Sequence, residues 1–182
     1  SGTTRKVGEE YLVRAVGAYI PDVAEEIISV DKAIVLTEKK ALHLRAVRTF
    51  KDVFGKERKA GDEWLITIKD TEAHIPDVNE TVVGEVSLTT LTNRQYCVVL
   101  DPVDPVTGKN QLGKRELRKG ERIFFLRPGE RLEAGIQNIY ILGSEEALLL
   151  RAREVFTEAS ADPKKPGTRH LPGDRWMIYG PC

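Results

Sequence analysis

Gly55-Lys56-Glu57-Arg58-Lys59-Ala60-Gly61-Asp62-Glu63-Trp64-Leu65-Ile66 can be laid on Gly2-Thr3-Thr4-Arg5-Lys6-Val7-Gly8-Glu9-Glu10-Tyr11-Leu12-Val13 at a constant offset of 53 residues. Five positions in this block are decisive: the paired Arg5/Arg58, Lys6/Lys59 and Gly8/Gly61, an acid after the glycine, and an aromatic at Tyr11 and Trp64. Downstream, Ile20-Pro21-Asp22-Val23 returns as Ile75-Pro76-Asp77-Val78, and Glu25 then falls on Glu80 in the same register. A weaker copy follows at Arg118-Lys119-Gly120-Glu121. The run Glu145 to Arg153 echoes Lys39 to Val47 at offset 106, and Gly173-Asp174-Arg175-Trp176 opens one more copy. Separated blocks that agree in order mark an internal repeat rather than chance similarity.

The repeat starts at Gly8, Gly61, Gly120 and Gly173, at intervals of 53, 59 and 53 residues. Such a period is too long for a short solenoid unit and fits tandem small domains. The predicted division is 1–7 as a lead-in, 8–60, 61–119, 120–172 with a loop insertion, and 173–182 as the start of a further copy. The chain reads as an excerpt from a longer array.

Within each copy the pattern is that of strands. Leu42, Leu44 and Ala46 alternate with His43, Arg45 and Val47, and Trp64, Ile66 and Ile68 share one face. Val82-Val83, Gln95 to Leu100, Ile123 to Leu126 and Ile139 to Leu142 are further strand candidates. Gly and Pro punctuate them. Asp101 to Asn110 reads as a long hairpin loop and Ala159 to Gly167 as a flexible one. Val23 to Lys40 has some helical pattern, but its Ile-Ile and Ile-Val pairs suit strands as well. The predicted fold class is all-β: small antiparallel β-sheet repeat domains of about 55 residues strung end to end. A unit that small has a marginal core and gains from packing against its neighbours.

Composition bounds the rest. The 182 residues are 41% hydrophobic and 31% charged, with 28 Lys+Arg against 28 Asp+Glu. The missing basic surplus argues against a phosphate-neutralising nucleic-acid binder. No apolar run is long enough to cross a bilayer as a helix. Cys97 and Cys182 cannot scaffold a chain of this size, and Cys97 lies in an apolar run as a buried thiol.

No constellation points to catalysis. Gly108-Lys109 lacks the upstream glycine and the Ser/Thr of a phosphate-binding loop. The Asp101 to Asn110 loop lacks the ligand alternation of an EF-hand. His43, His74 and His170 have no metal-ligand spacing. No catalytic, cofactor-binding or metal site is predicted, and no cofactor. Tyr11, Trp64 and Trp176 hold equivalent places in their copies and are predicted structural anchors, while the repeat glycines are expected at turns with positive φ.

Charge is distributed in bands. Glu38 to Lys59 carries eight bases against three acids, and Asp70 to Glu85 five acids and no base. Gly108 to Arg122 carries six bases against two acids, and Glu130 to Glu158 six acids against three bases. Two readings stay open. The bands are solvated strand faces of differing sign, or they let identical chains lie side by side in register. On the second reading Lys109, Lys114, Arg115 and Arg118 are the candidate lateral-assembly charges.

The G-[ED]-x-[WY]-L-[IV] block, the I-P-D-V element, Ile34 to Lys39, Ala41 to Ala46, Asp70 to Val78 and Asp101 to Gly113 together resemble the N-terminal repeats of the major vault protein family. The resemblance covers nearly the whole chain. It implies a non-enzymatic structural segment of the vault, a hollow cytoplasmic ribonucleoprotein particle with a minor nuclear pool. In that family the repeats are antiparallel β domains forming staves, and many parallel copies of the chain pack laterally into a barrel wall. The resemblance also implies an alternative role as a docking module for the vault-associated poly(ADP-ribose) polymerase. Vault RNA associates elsewhere, so neither direct nucleic-acid binding nor a membrane is expected here.

Overall fold

Strands form where the sequence alternates. The computed structural model describes residues 5–14, 16–158 and 167–181, and every helix or strand among them is a strand. The expected loop at Ala159 to Gly167 falls, through residue 166, outside the described residues, as does Cys182. The chain forms two compact units, 1–137 and 138–182.

The first unit contains β1 (Ile34–Val35), β2 (Lys40–Ala46), β3 (Phe50–Lys51), β4 (Glu57–Arg58), β5 (Glu63–Ile66) and β6 (Ala73–His74). It continues with β7 (Glu80–Leu91), β8 (Gln95–Leu100), β9 (Arg115–Lys119), β10 (Arg122–Phe125) and β11 (Arg131–Leu132), and β12 (Gln137–Asn138) lies at its boundary. The second unit contains β13 (Ala147–Arg151), β14 (Phe156–Glu158), β15 (Thr168–His170) and β16 (Arg175–Tyr179).

Strand β2 lies between β5 and β7, and β7 continues to β10, giving a four-stranded antiparallel sheet ordered β10-β7-β2-β5. The pleat sends Leu42, Leu44 and Ala46 inward, where they meet Leu36, Trp64 and Ile66 in one buried cluster. On the other face, Arg45 Nε bonds Glu63 at 2.8 Å, and at the start of β2 Lys40 Nζ bonds Glu85 at 2.6 Å. The β2–β7 register slips between His43 and Leu44, opposite Gly84 and Val82. Gly84 lies at this bulge. The small hairpin β3–β4 joins β2 to β5.

At Gly61 and Gly173 the hydrogen-bonded unit spans the repeat glycine. Gly61 N–H donates to Ala46 O at 2.8 Å and Ala46 N–H to Asp62 O at 2.9 Å. In the second unit Gly173 N–H donates to Ala152 O and Ala152 N–H to Asp174 O, both at 2.9 Å. A period fixes spacing, whereas strand pairing fixes phase. Gly8, Gly61, Gly120 and Gly173 all have positive φ, between 76° and 94°.

Two segments differ from the sequence reading. Ile139 to Leu142 pairs in no ladder beyond the end of β12. Its counterpart β1 pairs with β6, whereas this run has no partner strand among the described residues. The middle copy also pairs differently. There β8 pairs with β9, while β10 pairs with β7. Leu91, Cys97 and Val99 form its buried cluster with Phe124, Leu126 and Leu132 packed against it.

Candidate functional site

The site that recurs is a stack of acid, cation and aromatic ring. Arg58 lies with its guanidinium carbon 4.2 Å from the Trp64 ring centroid, and its Nε donates to Asp52 at 2.8 Å. Hairpin β3–β4 brings them together: it carries Arg58 back over β5 and folds Asp52 under the turn. The Asp52 carboxylate also accepts the N–H groups of Phe54 at 3.0 Å and Lys56 at 2.8 Å. Burial pushes its pKa up, but the Lys56 N–H and Arg58 outweigh burial and hold it below the ordinary value. Trp64 is 7% exposed in the core cluster.

The same arrangement appears six residues back from each repeat aromatic. Arg5 stacks on Tyr11 at 3.4 Å and Arg118 on Phe124 at 4.7 Å. In the second unit His170 takes the cation's place, stacked 4.1 Å from Trp176, with Phe156 4.9 Å from it and 5.8 Å from Trp176, and Glu158 3.2 Å from its Nε2. Arg118 Nη2 bonds Glu130 at 3.1 Å and Glu116 at 2.8 Å. Glu130 in turn accepts the N–H groups of Val103 and Arg127. Tyr11 is half-buried and donates to Glu25, which also accepts from Tyr19 at 2.7 Å. The Tyr11 hydroxyl and the Asp22 N–H hold Glu25 at a pKa of about 2.

The sequence reading singled out Tyr11, Trp64 and Trp176, but neither Phe124 nor the partners of these rings. The signal was present: Arg5, Arg58, Arg118 and His170 each precede an aromatic by six residues. A second unread signal is an acid three residues into the turns. The N–H of Lys6, Asp22, Lys59, Thr67, Asp77, Arg127, Gly143 and Leu171 each donates to the carboxylate three residues on. That acid's own N–H donates back to the first residue's carbonyl, between 2.9 and 3.2 Å. The repeated I-P-D-V and G-[DE] blocks are therefore turn-closing devices.

The four candidate lateral charges separate into two groups. Lys109 and Lys114 are exposed on the hairpin between β8 and β9. Arg115 is exposed and pairs with Glu133 at 3.1 Å. Arg118 has only 14% of its side chain exposed and is committed to the Phe124 stack.

No group of three or more His, Cys, Asp or Glu among the described residues is placed to hold a metal. The histidines instead each face a glutamate: His43 to Glu63 at 2.9 Å, His74 to Glu80 at 2.7 Å, and His170 to Glu158. Cys97 is fully buried, and burial raises its thiol pKa. No helix among the described residues is long and apolar enough to cross a membrane.

Comparison with known sequences gives a consistent result. A profile described as the Major Vault Protein repeat domain matches residues 34–77 and 140–182, and a second profile of that description matches 88–136. Major vault protein of Strongylocentrotus purpuratus is 60% identical over 181 residues, covering 100% of this chain and 20% of the relative. Major vault protein alpha of Dictyostelium discoideum is 60% identical over 184 residues, 100% of this chain and 21% of the relative. Major vault protein of Bos taurus is 55% identical over 180 residues, 99% of this chain and 20% of the relative. The chain thus spans about a fifth of the length of these relatives. The separate profile for residues 88–136 coincides with the copy whose strands pair differently.

Proposed function

We propose, from the premise that this chain belongs to the major vault protein repeat family, that it is a structural segment of the vault particle. Parallel copies of the full-length chain pack side by side through these repeats to form the barrel wall, in the cytoplasm. The role is mechanical and not catalytic.

One observation carries this reading. The same module, a strand pair closed by an acid-bound turn and locked by an acid–cation–aromatic stack, recurs along the chain. Leu44 pairs with Trp64 in the first unit, and Leu150 with Trp176 in the second, in the same register. Buried polar groups that recur with the fold specify its geometry. A wall segment needs a fixed geometry repeated at a fixed spacing.

The test is charge reversal at Lys109 and Lys114 in the full-length protein, followed by electron microscopy of the particles. Arg118 is left intact because its loss would damage the fold. Impaired or misshapen shells support lateral packing through this band. Shells of normal yield and shape would remove that role from it. Normal shells that no longer retain the vault-associated poly(ADP-ribose) polymerase would instead favour the docking alternative.

A further inference from the structure

Both outer edges of the four-stranded sheet border one groove. In the order β10-β7-β2-β5, β10 pairs only with β7 and β5 only with β2 among the described residues. An open groove of about 1350 Å³ is lined by residues of β5, residues of β10 and the hairpin between β8 and β9. It lies inside the first unit, between the segments 34–77 and 88–136 that the repeat profiles match. A small-molecule pocket holds about 300–1,000 Å³, so this groove is large enough for a length of polypeptide.

The ladders show which main-chain groups face outward from β10. Leu88 N–H donates to Lys39 O at 2.8 Å, on the β2 side of β7. Successive N–H groups of a strand point to opposite edges, so on the β10 side the hydrogen-bonded pairs are Thr89 with Phe124 and Leu91 with Arg122. Ile123 and Phe125 therefore turn their N–H and C=O groups away from β7, to the open edge. The Ile123 side chain is 66% exposed.

Charge selects the occupant. Lys56, Lys109, Arg122 and Arg127 line the groove with exposed side chains and no carboxylate partner among the described residues. The other two cations in its wall are already committed, Arg58 to Asp52 and Arg118 to Glu116 and Glu130. Glu57 and Asp62 are the two acids there without a cationic side-chain partner among the described residues, so positive charge is in excess.

The geometry points to this groove as the docking site of an extended acidic segment of a partner protein, added as a strand to the open edge of β10. Ile123 and Phe125 supply the main-chain bonds of the new ladder. An apolar side chain of the segment covers Ile123, and its carboxylates meet Arg122 and Arg127. A nucleic acid would answer the cations but has no backbone to pair with β10. Docking here is separate from side-by-side packing through Lys109 and Lys114, and either holds without the other.

Fluorescence anisotropy of a short labelled peptide alternating Glu with Val, titrated with the purified chain, tests this. Saturable binding is expected, and none by the same peptide with Lys in place of Glu. Ile123→Pro removes an N–H from the open edge and leaves the β7 pairs to Arg122 and Phe124. It should weaken binding about tenfold or more with unchanged circular dichroism. Arg122→Glu/Arg127→Glu should reverse the preference in favour of the Lys peptide. A Glu-Val peptide N-methylated throughout keeps its charge, loses its strand donors and should not bind; this arm needs no variant of the chain. In amide hydrogen exchange Ile123 and Phe125 should become protected on binding, whereas Phe124 is protected with and without the peptide. Three results would overturn the proposal: no saturable binding of the Glu-Val peptide, binding indifferent to both Ile123→Pro and N-methylation, or an oligothymidylate of equal charge that binds more tightly and leaves Ile123 and Phe125 unprotected.

Discussion

Replacing Arg58 with Met probes the stack that recurs through the chain. The substitution keeps an unbranched stem over Trp64 and removes the charge. Two contributions are lost. The guanidinium lies 4.2 Å from the ring centroid with 13% of its side chain exposed, a partly dehydrated geometry for which cation–π attraction is worth about 1–2 kcal/mol. Asp52, with 1% of its side chain exposed, then keeps its charge without a counter-ion. Breaking a buried pair on one side costs about 3–5 kcal/mol. Asp52 retains the N–H groups of Phe54 and Lys56, which moderates that cost. The expected net loss is about 3 kcal/mol near pH 7. Urea unfolding followed by tryptophan fluorescence measures it, in a Trp176→Phe background so that only Trp64 emits. The pH dependence has a definite sign. In the parent, Asp52 titrates below its unfolded value, so its stabilisation is complete above that value and is lost as pH falls through the folded one. Without Arg58 its lowering effect is lost and the folded value rises. The deficit against the parent is then greatest at neutral pH, and it narrows toward pH 4 as the carboxyl takes up a proton. Asp52→Asn in the same variant should recover about half of the loss. A loss below about 1 kcal/mol, or a gap constant from pH 7 to pH 4, would refute the reasoning.

Two further outcomes are expected. Gly61→Ala should cost about 1–2 kcal/mol through its φ of +88° alone, because a Cβ there meets nothing within 4 Å, and a thermal melt of the first unit reads this directly. The Glu25 carboxyl carbon, followed by NMR, should titrate at about 2 in the parent. It should move up toward the ordinary glutamate value in Tyr11→Phe, and an unchanged midpoint would show that the tyrosine is not the cause.

The fold class was legible because period-two alternation in Lys40–Ala46 and the repeat glycines carry local, one-dimensional information. What was lost is non-local. Ile139 to Leu142 has the composition of a strand, but a ladder also needs a partner, and composition does not reveal one. The middle copy keeps the Arg-Lys-Gly-Glu block, yet β10 pairs with β7, a choice made by packing around Leu91 and Cys97. Arg118 looked like a surface charge within a basic run. Its burial depends on Phe124 and Glu130, six and twelve residues away, and no count of charges along the chain reveals that. Tyr11, Trp64 and Trp176 were conspicuous as bulky rings at equivalent places, and Phe124 was not. Their acids were not, since Asp52 and Glu130 come from opposite sides of the repeat glycine.

The turn-closing acids divide the surface charge into two mechanical kinds. Of the eight carboxylates pinned by their own backbone, Glu80 and Glu130 are buried against His74 and Arg118, and Glu9, Glu25, Asp62, Asp70, Glu146 and Asp174 stand at the surface. Their negative charge has a fixed address that recurs with the repeat. Lysines such as Lys109 and Lys114 stand on long flexible stems and can reach several positions. Under the proposed lateral packing, the fixed acids would set registry and the mobile lysines would supply tolerance.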